Sequence, residues 1–425
     1  MINLPELYEL YLSSQGQVFT DTRQVKTNAM FFALKGANFN GNTFALKAIE
    51  MGASYAIVDE PIQGHENIIQ VEDVLKTLQD LAHYHRKQLG LPVIAIGGSN
   101  GKTTTKELLV SILSQAKKVH YTPGNFNNHI GLPLTILQAN ASHALMVLEM
   151  GANKAGDMIE LCLIAEPNYG IITNIGKEHL EGFGGIEGVA ASEGELFDYL
   201  ASHNGHAFVN QDDEWVVKLA QSIKLQSPYA MNDGVLQLKH HVPNIVFDYE
   251  SITIASPLMG LHNFQNIRAC VEIARTIDLN PLQIQAGIQA YAPQNNRSQW
   301  VKGEANNTIL LDAYNANPSS VEMALKTFAV IPGSKWVLLG DMFELGAYEA
   351  SEHQAICDLA FSLSFEHIVL VGKAFAKVHL PHSNMKQFES VDQAQVYINE
   401  QKPSNQLVLI KGSRGMKMEL FKDLF

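Results

Sequence analysis

The sequence predicts an α/β protein of three domains, and three observations carry that prediction. Short apolar runs of strand length recur along the chain, with helical patterns between most of them. A glycine-rich turn joins one such run to a helix. A polar, proline-containing stretch, Tyr291-Ala292-Pro293-Gln294-Asn295-Asn296, separates two series of this βα rhythm. At 425 residues the chain exceeds one ordinary core, and 46% hydrophobic against 17% charged residues suits packed domains rather than disorder.

Residues 1–88 read as a small α/β domain. Apolar segments Met30 to Leu34 and Tyr55 to Val58 alternate with Gly-Asn turns at 36–38 and 40–42, ahead of a helix from Val74 to Arg86. Residues 89–292 open with the buried-strand run Val93-Ile94-Ala95-Ile96, then the turn, then a helix with Leu108, Leu109, Ile112 and Leu113 on one face. Runs at Leu145 to Leu148, Tyr169 to Thr173 and His206 to Val209 follow, which predicts a mostly parallel sheet covered on both faces. From Leu236 to Leu258 the strands lack intervening helices and read as an antiparallel edge. Residues 293–425 repeat the rhythm at Thr308 to Leu311, Lys335 to Leu339, His367 to Val371 and Gln406 to Ile410, so a Rossmann-like, doubly wound domain is expected.

The bulk properties narrow the function. A net charge of -13 disfavours a nucleic-acid partner bound on a broad basic face, yet leaves room for a local phosphate site. Cys162, Cys270 and Cys357 are too scattered for a metal site or a disulfide framework and read as reduced core residues. The first residues lack a signal-peptide pattern, and no apolar run is long enough to span a membrane, so a cytoplasmic address is expected; a monomer is expected as a separate reading. The pairs His83/His85 and His240/His241 read as ordinary surface.

Gly97-Gly98-Ser99-Asn100-Gly101-Lys102-Thr103-Thr104 is the sharpest local signal, because it lies between a predicted strand and a predicted helix. Glycines let backbone N–H groups turn toward phosphate oxygens, and the helix N-terminus adds a positive field. Lys102 supplies a mobile charge for the β- and γ-phosphates, and the Thr103 hydroxyl can coordinate Mg²⁺. The general pattern wants glycine where Ile96 stands. Glu149, at the carboxyl end of a buried strand near this loop, is placed to hold Mg²⁺, although a solvated strand end is the simpler account of it alone. Asn263 and Asn266 fall on one helix face, as ligand contacts or as caps. Asp312 ends another strand, where its carboxylate can accept ribose hydroxyls, and Pro318 suits the first turn of the next helix.

The strings Gly98 to Thr104, Thr122 to Pro133, Glu149 to Ala152, Asn174 to Glu181, Gly260 to Asn266, Asp312 to Ser320, Gly340 to Gly346 and Lys411 to Met416 span essentially the whole chain. In that order they resemble the Mur ligase family, whose own loop is shortened and lacks the glycine missing at Ile96. The resemblance implies ATP and Mg²⁺ as cofactors, with UDP-N-acetylmuramoyl-tripeptide and D-alanyl-D-alanine as substrates joined through an acyl phosphate. It places Gly98, Ser99, Asn100, Gly101, Lys102, Thr103, Thr104, Asn263, Asn266, Arg297, Asp312, Tyr314 and Asn317 around ATP. It gives Asn127 and Asn128 a place beside the reacting carboxylate, and makes Glu149 and His179 magnesium ligands with Thr103. Lys411, Ser413 and Arg414 would receive the dipeptide, and Asp21, Thr22, Arg23 and Lys35 the uridine nucleotide. The family's Asp-Gly-His reads Asn40-Gly41-Asn42 here.

One departure matters more. The family commonly carries a CO₂-carbamylated lysine after the histidine motif, and Glu193 stands at that position. Glutamate offers permanent negative oxygens on a shorter arm. Glu193 is therefore expected as a catalytic metal ligand, directly or through water, with an exposed helix acid as the bland alternative, and activity should not need bicarbonate. No residue stands out as general base for the amine. The rival functions are a sister Mur-type or folylpolyglutamate-type amide ligase, which the Asp312 to Pro318 string disfavours, and a nucleotide-binding protein that has lost turnover.

Overall fold

The computed structural model describes residues 2–293, 296–380 and 384–425, and each apolar run named above stands in it as a strand with a parallel neighbour. Gln294 and Asn295, inside the expected linker, lie outside the described residues. The first sheet is four-stranded and wholly parallel, ordered Val18–Phe19, Met30–Phe32, Tyr55–Val58, Ile68–Gln70. The helix Val74–Leu89 starts at an Asp73 side-chain cap and ends at left-handed Gly90. It is bound to the central part of the chain as well. Gln79 donates to Glu160 at 2.6 Å, and the Arg86 guanidinium donates to the Ala165 carbonyl at 2.8 Å.

The central sheet is six-stranded and parallel, ordered Leu225–Tyr229, His206–Asn210, Tyr169–Ile172, Val93–Gly97, Leu145–Glu149, Val119–Tyr121. Its strands Val93–Gly97 and Leu145–Glu149 are buried along their length, the property that makes their sequences continuous apolar runs. Strand order reverses about Val93–Gly97, and a crevice opens beyond the carboxyl ends on either side of such a strand. Leu108, Leu109, Ile112 and Leu113 of the helix Lys102–Leu113 are wholly buried, as their spacing predicts.

The segment expected as an antiparallel edge is instead a separate three-stranded sheet, Leu236–His240, Ile245–Tyr249 and Ile252–Ser256. It buries Leu236, Ile245, Phe247 and Ile254 in a core shared with the helices Leu261–Thr276 and Pro281–Ala290. The edge of the central sheet is taken by Leu225–Tyr229, where Pro228 is tolerated. The last sheet is ordered Gln299–Lys302, Thr308–Asp312, Leu407–Lys411, Lys335–Gly340, His367–Val371, Met385–Phe388, parallel apart from its first strand.

The three cysteines are free and buried. His85 is not surface: it is buried against Tyr8 and Tyr11 and bonds the Ala139 carbonyl at 3.0 Å. Half-buried His83 pairs with Glu166 at 2.9 Å. Among the described residues no helix is long and apolar enough to cross a membrane.

Candidate active site

The glycine-rich turn is shaped by what surrounds it. Gly98 has φ +108°, and a Cβ there would lie 2.6 Å from the Thr173 amide nitrogen. Gly101 has φ +86°, and a Cβ would meet the Asn266 side chain at 2.7 Å. Neither position admits a side chain without displacement. The helix Lys102–Leu113 begins directly after Gly101, so its N-terminal field faces the crevice.

The carboxyl ends of the central and last sheets face each other across a cleft of about 350 Å³. It is lined by Ser99 to Thr104, Asn127, Asn128, Glu149, His179, Asn263, Asn266, Arg297, Asp312, Tyr314, Asn317 and Lys411. An adjoining cavity is lined by Ser413 and Arg414 as well as His179, Tyr314 and Asn317. Asp21, Thr22, Arg23 and Lys35 line neither; Asp21 caps a helical turn that Thr22 and Arg23 open after Val18–Phe19, and Lys35 lies in a two-stranded ribbon with Phe39–Asn40. Arg23 folds back on Asp21, holding its carboxyl at about 2 chiefly through the side-chain hydrogen bond. Lys35 pairs with Asp59 at 2.8 Å and Glu60 at 3.0 Å. Asn42, in the altered Asn40-Gly41-Asn42 turn, donates to the same Asp59 at 2.8 Å.

Register explains several of the pairings. Glu149 stands opposite Ile96, which brings its carboxylate beside the turn. Its Oε1 accepts from Asn127 at 2.9 Å, and its Oε2 lies 3.5 Å from the Lys106 ammonium without a hydrogen bond. Asp312 is the register partner of Lys411, and the two side chains meet at 2.7 Å. Burial works to raise the Asp312 pKa, but Lys411, with the Ser298 amide and His262, outweighs it and holds the carboxyl low. The Arg297 guanidinium lies 3.8 Å from the Tyr314 ring centre, and that of Arg414 lies 5.0 Å from it. Asn317 caps the helix Pro318–Ala329 and also donates to Asn100 at 2.9 Å, so it joins the two sheets' ends. Asn128 accepts from the Ile130 and Gly131 amides, and Ser413 from the Phe343 amide.

Lys102 donates to the Gly98 carbonyl and to Glu178 at 3.2 Å. Burial works to lower its pKa, but the field of Glu178, Glu193 and Glu149 outweighs this and the net shift is upward. His179 is paired with Glu344 of the last domain, and burial still draws its pKa down. Glu193 is neither exposed nor a lining residue. It lies wholly buried beneath the turn, accepting from the Gly98 amide at 2.6 Å. Burial pushes its carboxyl up despite Lys102.

Three lining or supporting residues had no role in the sequence reading. Lys106 follows Lys102 by four positions, a spacing that turns both ammonium groups to one side of the helix. Glu178 adjoins His179, and His262 sits inside the quoted Gly260 to Asn266 string.

Family descriptions match this chain in three stretches: "Mur ligase family, catalytic domain" at 17–86, "Mur ligase middle domain" at 96–274, and "Mur ligase, glutamate ligase domain" at 296–414. The UDP-N-acetylmuramoyl-tripeptide–D-alanyl-D-alanine ligase of Bacillus subtilis is 33% identical over 96% of this chain and 92% of its own. The chain belongs to the Mur ligase family. A second relative in that family, the ligase of the same name from Escherichia coli, is 31% identical over 95% of this chain and 92% of its own. Among solved structures, MurF from Acinetobacter baumannii superposes with a TM-score of 0.88 at 30% identity, covering 97% of this chain and 96% of that one. Folylpolyglutamate synthase from Mycobacterium tuberculosis shares the fold alone, with a TM-score of 0.62 at 16% identity over 82% of this chain and 93% of that one.

Proposed function

We propose that this Mur ligase joins D-alanyl-D-alanine to UDP-N-acetylmuramoyl-tripeptide at the expense of ATP, giving ADP and phosphate, in the cytoplasmic synthesis of a peptidoglycan precursor. One observation carries the reading: a phosphate turn, a cleft carboxylate and an Asp312–Lys411 pair from a second sheet line one cleft, in a chain whose full length matches ligases of that name.

The residues fit a magnesium nucleotide. Glu149 Oε2 is buried without a hydrogen bond, and the Thr103 hydroxyl lines the same cleft. Among the described residues no three acidic, cysteine or histidine side chains form a ready cage. Mg²⁺ needs none, since it takes one or two carboxylates, phosphate oxygens and water. When bound, the metal neutralises the phosphates and polarises the γ-phosphorus; Thr103, Glu149 and His179 would hold it.

Lys102 exchanges its Gly98 and Glu178 contacts for the β- and γ-phosphates, with the turn's amides beside it. The tripeptide's terminal carboxylate oxygen then bonds to the γ-phosphorus as the bond to the bridging oxygen breaks and ADP leaves. The dipeptide amine attacks the acyl carbon and loses its proton, and phosphate departs. Asn127 orients Glu149. Asp312, fixed by Lys411, offers carboxylate oxygens to the ribose, and Tyr314 with Arg297 closes the nucleotide's flank. Arg414, exposed at the adjoining cavity, would supply the cation for the dipeptide carboxylate, with Ser413 and Lys411 behind it. Asp21, Thr22, Arg23 and Lys35 would take the uridine end. Convergence of the two sheet ends keeps water from the acyl phosphate.

The test is phosphate release with ATP and Mg²⁺. It should require both peptide substrates together, run without added bicarbonate, and fail with glutamate in place of the dipeptide. Release that is independent of the dipeptide would remove this reading.

A further inference from the structure

Two carboxylates besides Glu149 lie near Lys102, and they face opposite ways. Glu193 sits behind the Val93–Gly97 strand end with Met158 and Leu196, its Oε2 fixed by the Gly98 amide, and it lines neither cavity. Glu178 lines both cavities. It is 5% exposed, and its Oε1 makes no hydrogen bond. Ser99 is close by, but its hydroxyl is committed to the Gly176 amide at 2.8 Å and the Gly176 carbonyl at 3.2 Å. The ion partner of Glu178 here is Lys102, at 3.2 Å.

That pairing cannot survive the proposed reaction. Once Lys102 turns to the phosphates, Glu178 is left as a buried carboxylate facing a triphosphate, with Glu149 lining the same cleft. Like charges in so dry a place repel strongly unless a cation stands between them. We infer that Glu178, and not Glu193, is the carboxylate that meets a divalent cation on the terminal phosphates. Glu193 is a positioning residue, a strut holding the Gly98 amide. The inference rests on the nucleotide reading above and assigns its metal ligand.

The experiment counts cations without turnover. Mn²⁺, standing in for Mg²⁺, is titrated into the full chain with ADP and followed by electron paramagnetic resonance, and ADP affinity is measured separately without metal. Glu178→Gln should weaken Mn²⁺ binding at one site by at least about tenfold. Its metal-free ADP affinity should hold or rise, because a repelling charge has gone. A merely structural role would lower both. Glu178→Asp should recover part of the Mn²⁺ affinity, and Glu193→Gln should keep the wild-type number of bound ions. Wild-type Mn²⁺ binding in Glu178→Gln, or loss of an ion only in Glu193→Gln, overturns the inference and leaves the proposed function standing. Wild-type protein that binds no Mn²⁺ with ADP removes both.

Discussion

The central cleft and the first domain's charged patch use the same residue types in opposite ways. In and beneath the cleft, Lys106, Glu149, Glu178 and Glu193 are buried and Lys102 is partly so, and each of the three carboxylates keeps one oxygen without a hydrogen bond. In the first domain, Arg23 is 88% exposed and spends itself on Asp21, while Lys35 is held by Asp59 and Glu60. Burying ions with unused lone pairs opposes stability, so the cleft is arranged for something that arrives later. Exposed, mutually satisfied ions carry no such signal, and their role rests on family likeness alone.

Breaking the cleft's pairs should therefore have the larger consequences. Lys106→Met strands Glu149 in a dry site, and a loss of about 3–5 kcal/mol in unfolding free energy is expected from denaturant titration. Unchanged stability would mean that the Lys106–Glu149 contact is idle. Lys102→Ala should leave a folded protein that releases phosphate about 10²-fold more slowly or worse, as when one preorganised donor is removed. Near-normal turnover would place the phosphates elsewhere.

A smaller effect comes from His262, which burial pushes down to about 4 although Asp312 opposes this. Its folded pKa lies below the ordinary 6.5, so the unfolded chain takes up the proton first as pH falls. Stability is full above about pH 6.5 and drains away toward pH 4. Between pH 7 and 5 the wild type should lose about 1–2 kcal/mol more than His262→Gln, read from thermal melts. Equal acid limbs would show that His262 is solvated. The least change is expected from Arg23→Ala, which should leave the melting temperature where it is and raise only the KM for the uridine substrate. A fall in melting temperature would make the patch structural and erase the contrast.

What could be read from the chain follows the same division. Inner parallel strands are buried on both faces, so Val93–Gly97 and Leu145–Glu149 announce themselves as unbroken apolar runs. The edge strands Val119–Tyr121 and Leu225–Tyr229 keep half-exposed polar residues and were not distinguishable from loop. Strand character at Leu236 to Leu258 was legible, but a strand's partners are not written in its own residues, and the segment pairs with itself. The phosphate turn stood out because its glycines serve backbone geometry. The burial of Glu193 did not, because a helix acid is ordinarily solvated and its enclosure here comes from tertiary packing at the end of the Val93–Gly97 strand. Likewise Asp312 and Lys411 stand 99 positions apart in the chain, and their salt bridge exists only through sheet register.

The Asn317 amide does two jobs at once, since it starts the helix at Pro318 and grips Asn100 in the phosphate turn. Nearby, the Lys177 amide donates to Ser319, and its ammonium reaches Glu352 at 2.6 Å. These hooks tie the two sheet ends together across the nucleotide cleft, so opening them is the motion expected to accompany product release. Turnover that slows in proportion to solvent viscosity would register that motion; indifference to viscosity would place the slow step at bond making.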